Sequence, residues 1–142
     1  VVFPIHPRTR KLFSRHGVDS QLTRLSRLHL VEPLGYLEFL YLMDRARLVL
    51  TDSGGIQEET TVLGVPCLTL RENTERDITA KLGTNRVVGL SRTAVTHAVR
   101  EITAGRWPSG FVPPLWDGHA AERIAAITMD QLANWRIAVD VY

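Results

Sequence analysis

Short apolar runs alternate along this chain with segments whose apolar residues recur at helical spacing. The pattern predicts strands at residues 1–5, 28–31, 48–50, 66–70 and 87–88. It predicts helices at residues 8–16, 36–45, 56–63, 92–104, 120–127 and 129–137. Continuous apolar strands separated by helices are typical of parallel sheets that are buried on both faces. The sequence therefore predicts an α/β fold, with a Rossmann-like parallel sheet and helices on both faces.

The length of the chain and the way it begins indicate how its domains are organised. A chain of 142 residues suits one domain. We predict a nucleotide-binding domain over residues 1–128 and a helical extension over residues 129–142. The chain opens inside a predicted strand and without Met, so we expect it to be part of a longer protein.

The amino-acid composition indicates a folded globular protein and argues against nucleic-acid binding and membrane insertion. Hydrophobic residues make up 44% and charged residues 23%, which are values of a folded globular chain. The net charge of +2 is too small to indicate nucleic-acid binding. No apolar stretch is long enough to span a membrane, and we expect a cytoplasmic protein. The single cysteine, Cys67, lies in an apolar run, and we predict a buried structural thiol.

The strongest candidate for chemistry is the stretch DSGGIQEE at residues 52–59, between a predicted strand and a predicted helix. Ligands of open α/β sheets bind beyond the carboxyl ends of the strands. Gly54 and Gly55 let a ligand approach the backbone, and the first helical amides point outward without an internal partner. Together with the helix dipole they form an anion site that suits a diphosphate, and the Ser53 hydroxyl adds a donor. The alternative is an ordinary strand–helix turn, because Ser-Gly-Gly is common in turns.

Glu59 lies one helical turn beyond Gly55. A carboxylate there would repel phosphate, so we predict that it accepts hydrogen bonds from a ribose diol instead. The alternative is that an acidic residue simply favours the start of a helix. The sequence contains neither GxGxxG nor GxxxxGK, so the usual dinucleotide and ATP fingerprints do not apply.

Two further loops are predicted to reach the same edge of the sheet. The loop RENTER at residues 71–76 follows the next strand, and Arg76 is a candidate phosphate ligand because its guanidinium donates two bonds at once. His6 and Arg8 follow the first strand and are further candidates. The alternatives are an exposed charged loop and a structural histidine.

Taken with these loops, DSGGIQEE resembles the signature of the non-hydrolysing UDP-N-acetylglucosamine 2-epimerases. Further similar motifs follow in the same order along almost the whole chain. They are HPRT at residues 6–9, EPLGY at 32–36, RENTER at 71–76, GTN at 83–85 and DGHAAERI at 117–124. The resemblance implies the C-terminal half of a GT-B architecture, in which the active site lies between two Rossmann-like domains.

The resemblance also implies a reaction and a set of ligands. The family interconverts UDP-GlcNAc and UDP-ManNAc by eliminating UDP, which leaves a 2-acetamidoglucal, and adding it back on the other face. It implies no cofactor and no metal. It implies that Ser53, Gly54 and Gly55 hold the diphosphate, that Glu59 binds the ribose and that Arg76 contacts the phosphates. It places Phe39 near the uracil.

The resemblance leaves the catalytic residues outside this chain. The family's proton-transferring acidic residues and a further histidine belong to the N-terminal domain, which is the expected partner; a homodimer is left open. Family members usually have Pro after Thr-Glu-Arg, and here Asp77 stands there, where it is expected either to draw Arg76 away or to weaken phosphate binding. A freestanding UDP-sugar-binding or regulatory module and half of a GT-B glycosyltransferase are the alternatives.

Overall fold

A computed structural model describes residues 1–107 and 109–139. Strands and helices alternate along the chain. In order they are β1 (Val2–Pro4), α1 (Pro7–Arg15), α2 (Asp19–Leu22), β2 (His29–Val31), α3 (Tyr36–Asp44), β3 (Val49–Thr51), α4 (Gly54–Leu63), β4 (Cys67–Thr69), α5 (Asp77–Lys81), β5 (Asn85–Val87), α6 (Arg92–Thr103) and α7 (Ala120–Val139). The predicted α/β class with parallel strands is confirmed. None of the helices in these two ranges is both long and apolar enough to cross a bilayer.

The strands form two parallel sheets rather than the single sheet that was predicted. β1 pairs with β2, with Phe3 opposite Leu30. β4 lies between β3 and β5, with Leu68 opposite both Leu50 and Arg86. The chain divides accordingly into two compact units, Val1–Arg45 and Ala46–Tyr142. Apolar runs predict strands and their direction, but they carry no information about which strands pair.

The first unit is built around one β–α–β crossover. Ile5 and Met43 are its buried apolar residues within the described ranges. α1 begins at Pro7, where a missing N–H costs nothing, and His6 caps the helix as Nδ1 accepts from the Arg8 amide at 3.2 Å.

The second unit has a core between β4 and α6. Leu68, Ala98 and Ile102 are buried there together, and Trp107 packs against them. Cys67 on the same strand is fully buried, as predicted, and burial raises the pKa of its thiol. α4 ends at Gly64, which adopts a φ of +70° that closes the helix.

Several boundaries differ from the prediction. The short helices α2 and α5 were not predicted, and β5 begins at Asn85 instead of residue 87. The helices predicted at residues 120–127 and 129–137 are a single helix, α7, because no Gly or Pro interrupts them. The predicted division at residue 128 falls within this helix, and the two-domain description of residues 1–128 and 129–142 stays a prediction.

Candidate functional site

The turn between β3 and α4 presents unpartnered amides at the carboxyl edge of the sheet. Ser53 is the N-cap residue of α4, with an extended backbone and no capping hydrogen bond from its side chain. Its own amide donates to Thr51 Oγ1 at 3.0 Å, which fixes the turn. The helix then starts on Gly54 and Gly55, whose amides have no acceptor within the helix. This end of α4 therefore has the geometry and the dipole of an anion site.

The loop that follows β4 passes directly over this turn. A Cβ atom at Gly54 would lie 3.2 Å from Glu75 Oε1 and 3.8 Å from Cγ and Nε of Arg76. Any side chain at position 54 would press on this loop, so glycine permits the close approach. Parallel topology predicts that loops after adjacent strands meet at one edge, and the structure brings Arg76 to the Ser53–Gly54 turn.

Arg76 has a partner that the sequence did not indicate. Its Nε lies 3.0 Å from Glu58 Oε1 on α4, in an ion pair without the alignment of a hydrogen bond. The two side chains are 42% and 40% exposed, so solvent screens the pair. Glu58 is therefore the carboxylate beside the guanidinium.

Asp77, which stands where the family usually has Pro, does not draw Arg76 away. It is the first residue of α5, and its Oδ2 accepts from Lys81 Nζ at 2.5 Å, one turn along that helix. The hydrogen bond and charge of Lys81 lower the pKa of Asp77. Asp is favoured in the first turn of a helix, so it suits this position.

Beneath the turn lies a buried polar cluster. Gln57 is fully buried; its Nε2 donates to the carbonyl of Ser53 at 3.2 Å. Its Oε1 accepts from Thr74 Oγ1 at 2.7 Å and from Asn85 Nδ2 at 3.0 Å. One amide side chain thus joins the Ser53 turn, the Arg76 loop and the start of β5.

Gln57 and Asn85 were not predicted as site residues, because single Gln and Asn residues are mostly exposed in folded proteins. The signal was present in the spacing of residues on α4. Gln57, Thr60 and Thr61 share one helical face and are all buried, whereas the apolar Val62 is 55% exposed. The inner face of α4 is therefore polar, contrary to the usual amphipathic pattern.

The remaining candidates are placed as follows. Glu59 is half-buried on α4, one turn beyond Gly55, and forms no ion pair with any residue that the structure describes. In the first unit, His6 and Arg8 are exposed just beyond the carboxyl end of β1, and Phe39 is half-buried in α3. Their roles in ligand binding stay predictions.

Comparisons with known proteins show which family this chain resembles. The family model described as UDP-N-acetylglucosamine 2-epimerase matches residues 1–129. The UDP-N-acetylglucosamine 2-epimerase of Methanocaldococcus jannaschii is 42% identical over 127 residues, which are 89% of this chain and 34% of that protein.

Solved structures give the same match. The crystal structure of the M. jannaschii enzyme in complex with UDP-GlcNAc and UDP superposes with a TM-score of 0.76 and 41% identity, covering 90% of this chain and 35% of that one. The S. aureus MnaA–UDP co-structure has a TM-score of 0.77 and 33% identity, covering 93% and 36%. The chain spans about a third of the length of the curated relatives it matches. It belongs to the UDP-N-acetylglucosamine 2-epimerase family.

Proposed function

We propose that this chain is the UDP-binding, C-terminal part of a UDP-N-acetylglucosamine 2-epimerase. The observation that carries the proposal is the first turn of α4, where the amides of Gly54 and Gly55 have no acceptor within the helix and the Arg76 loop packs against Gly54. Two unpartnered amides, a helix dipole and a guanidinium together suit a diphosphate. Two solved relatives, the M. jannaschii enzyme and S. aureus MnaA, are complexes that contain UDP, which supports a uridine diphosphate as the occupant.

The nucleoside end of UDP needs contacts that the phosphate cradle does not provide. Glu59 lies one turn beyond the cradle, where a carboxylate suits the ribose diol. Phe39 stays the contact for the uracil that the resemblance implies. The Ser53 hydroxyl does not cap α4, so it is proposed to donate to the diphosphate.

Among the residues that the structure describes, we identify no acid–base pair for epimerisation beside the proposed diphosphate site. Moving the C2 proton from one face of the sugar to the other requires a positioned base and a positioned acid. Arg71 pairs with Glu75 at 3.3 Å, and Arg76 with Glu58, so these two carboxylates are engaged. We therefore place the catalytic groups, which are unknown here, in the two thirds of the relatives' length that this chain does not match.

Calorimetric titration tests the nucleotide assignment. UDP is expected to bind with a dissociation constant of roughly 10 µM to 1 mM, since a part of the cleft supplies only a few hydrogen bonds. ADP is expected to bind much more weakly, because the phosphate cradle is indifferent to the base. Equal affinities for the two nucleotides would contradict the uridine assignment.

Proton NMR in deuterated water tests the catalytic part of the proposal. The chain alone is expected to leave UDP-GlcNAc unchanged, with no deuterium at C2. Addition of a complementary N-terminal domain is expected to start the exchange. Deuterium at C2 with the chain alone would show that the catalytic groups lie within these 142 residues.

A further inference from the structure

Threonine hydroxyls hold the backbone of Arg76 on both sides. The Arg76 amide donates to Thr74 Oγ1 at 3.0 Å, and the Arg76 carbonyl accepts from Thr79 Oγ1 at 2.7 Å. Thr79 is fully buried and Thr74 is half-buried. The side chain of this residue is 42% exposed, but its backbone is fixed from inside the fold.

A pair of buried amide side chains joins the two threonines. Asn85 Nδ2 donates to Gln57 Oε1 and to Thr79 Oγ1, both at 3.0 Å. Thr74 Oγ1 donates to the same Gln57 oxygen at 2.7 Å. On its other side, Asn85 Oδ1 accepts from Thr69 Oγ1 at 2.7 Å. An unbroken chain of hydrogen bonds therefore runs from the carbonyl of Arg76 back to its amide.

The direction of each proton in this chain is fixed. A carbonyl only accepts, so the Thr79 hydroxyl must give its proton to Arg76 and must accept from Asn85. Asn85 Nδ2 also donates to the Gln57 oxygen, which only accepts, so the Thr74 hydroxyl must give its proton to that oxygen. Each contact then has one donor and one acceptor, which sets the orientation of both amides. Removal of one side chain from this network leaves its hydrogen-bonding neighbours buried and unsatisfied. The free-energy cost then destabilises the positions of those neighbours.

We propose that Gln57 and Asn85, acting through Thr74 and Thr79, are positioning residues that hold Arg76 over the first turn of α4. Both ends of the chain of hydrogen bonds lie on Arg76, and Gln57 also donates to the Ser53 carbonyl. The network thus joins the two elements that form the proposed diphosphate site. The inference rests on the proposed function, in which Arg76 contacts the phosphates.

The substitution Thr79→Val tests the inference, because it keeps the shape of the side chain and removes the hydroxyl. Thr84→Val is the matched control. Thr84 is also buried and its Oγ1 donates to the Thr60 carbonyl at 3.2 Å, but it has no link to Arg76. UDP affinity is measured for both variants of the 142-residue chain in the native and Arg76→Ala backgrounds, which forms a double-mutant cycle.

Thr79→Val is expected to weaken UDP binding roughly tenfold when Arg76 is present and less than about twofold in the Arg76→Ala background. Thr79→Ser, which keeps the hydroxyl, is expected to bind like the native chain. Thr84→Val should change affinity less than about twofold in both backgrounds. An equal loss from Thr79→Val in both backgrounds would overturn the positioning role.

Amide hydrogen exchange separates this inference from the proposed function, because it needs no ligand. Thr79→Val is expected to speed exchange of the Arg76 amide about tenfold, while Thr84→Val leaves it unchanged. If the native chain binds no UDP but the Arg76 amide responds in this way, the proposed function fails and the positioning network stands. An unchanged Arg76 amide in the folded Thr79→Val chain would overturn the inference.

Discussion

The two units present their candidate ligands in different ways. In the second unit, Arg76 stands on a backbone that is fixed from within by hydroxyls and buried amides. In the first unit, His6 and Arg8 are exposed, and the His6 side chain accepts from the Arg8 amide in the cap at the start of α1. The second unit therefore presents a preorganised charge, whereas the first presents side chains that must lose rotamer freedom when they bind.

This difference bears on how the binding energy is distributed. A group whose backbone is already ordered forms its contact at a smaller ordering cost, so its removal should cost more affinity. An exposed and unrestrained group loses part of its contact energy to ordering and solvent screening. We expect the second unit to dominate both the stability of the domain and the affinity for nucleotide.

The largest expected effect concerns the cores of the two units. Leu68→Ala should lower the free energy of unfolding by about 4 kcal/mol, because Leu68 is fully buried on the central strand among several apolar partners. Ile5→Ala in the first unit should cost about 2 kcal/mol, because fewer buried apolar side chains surround it. Urea unfolding followed by circular dichroism measures both. A larger loss from Ile5→Ala would reverse the comparison.

The next effect concerns the two arginines. Arg76→Ala is expected to weaken UDP binding by about 1.5 kcal/mol, the lower range for a charged hydrogen bond, because the side chain is 42% exposed. Arg8→Ala is expected to cost about 0.5 kcal/mol, since an exposed and unrestrained guanidinium contributes little. Calorimetry on the two variants decides between them. Equal losses would show that preorganisation of Arg76 is without consequence.

A smaller expected effect distinguishes binding of the ribose from binding of the phosphates. Glu59→Ala is expected to cost UDP about 1 kcal/mol and to leave pyrophosphate binding unchanged, because pyrophosphate lacks the diol. Glu59→Gln serves as the control that keeps the shape of the side chain. A matching loss for pyrophosphate would show that Glu59 acts on the phosphate cradle.

The smallest effect concerns an exposed pair at the start of α7. A hydrogen bond from Arg123, followed by one from the His119 amide, lowers the pKa of Asp117. A lowered folded-state pKa means that the contribution to stability is present above the unfolded value and is lost as pH falls through the folded one. Arg123→Gln is therefore expected to raise the pKa of Asp117 in a carboxyl NMR titration. An unchanged pKa would show that the pair does not form in solution.

Local pattern predicted the elements that carry the candidate site. β3, the Ser53 turn and α4 followed from an apolar run, two glycines and a helical segment, all of which act within a few residues. The placement of Arg76 beside Gly54 followed from parallel topology alone. These features depend on short-range preferences and on one general property of parallel sheets.

The positioning network and the strand pairing could not be predicted in this way. Gln57 and Asn85 are 28 residues apart, and their burial depends on partners that only the folded chain brings together. α5 has five residues and no apolar period long enough to be recognised. Separate sheets depend on the relative stability of alternative pairings, to which the periodicity of a single strand is insensitive.

Asp77, the residue after Arg76, affects which backbone conformations Arg76 can adopt. Arg76 has φ −108° and ψ 46°, whereas a following proline favours a ψ of about 120–160° in the residue before it. Asp77 therefore leaves open a backbone conformation that the usual family residue would disfavour. A proline restricts the unfolded chain, whereas hydrogen bonds act only once the chain has folded. In this protein the backbone of Arg76 is thus restricted only in the folded state. We expect the loop that carries it to become disordered on heating at the same temperature at which the hydrogen bonds of the buried amides break.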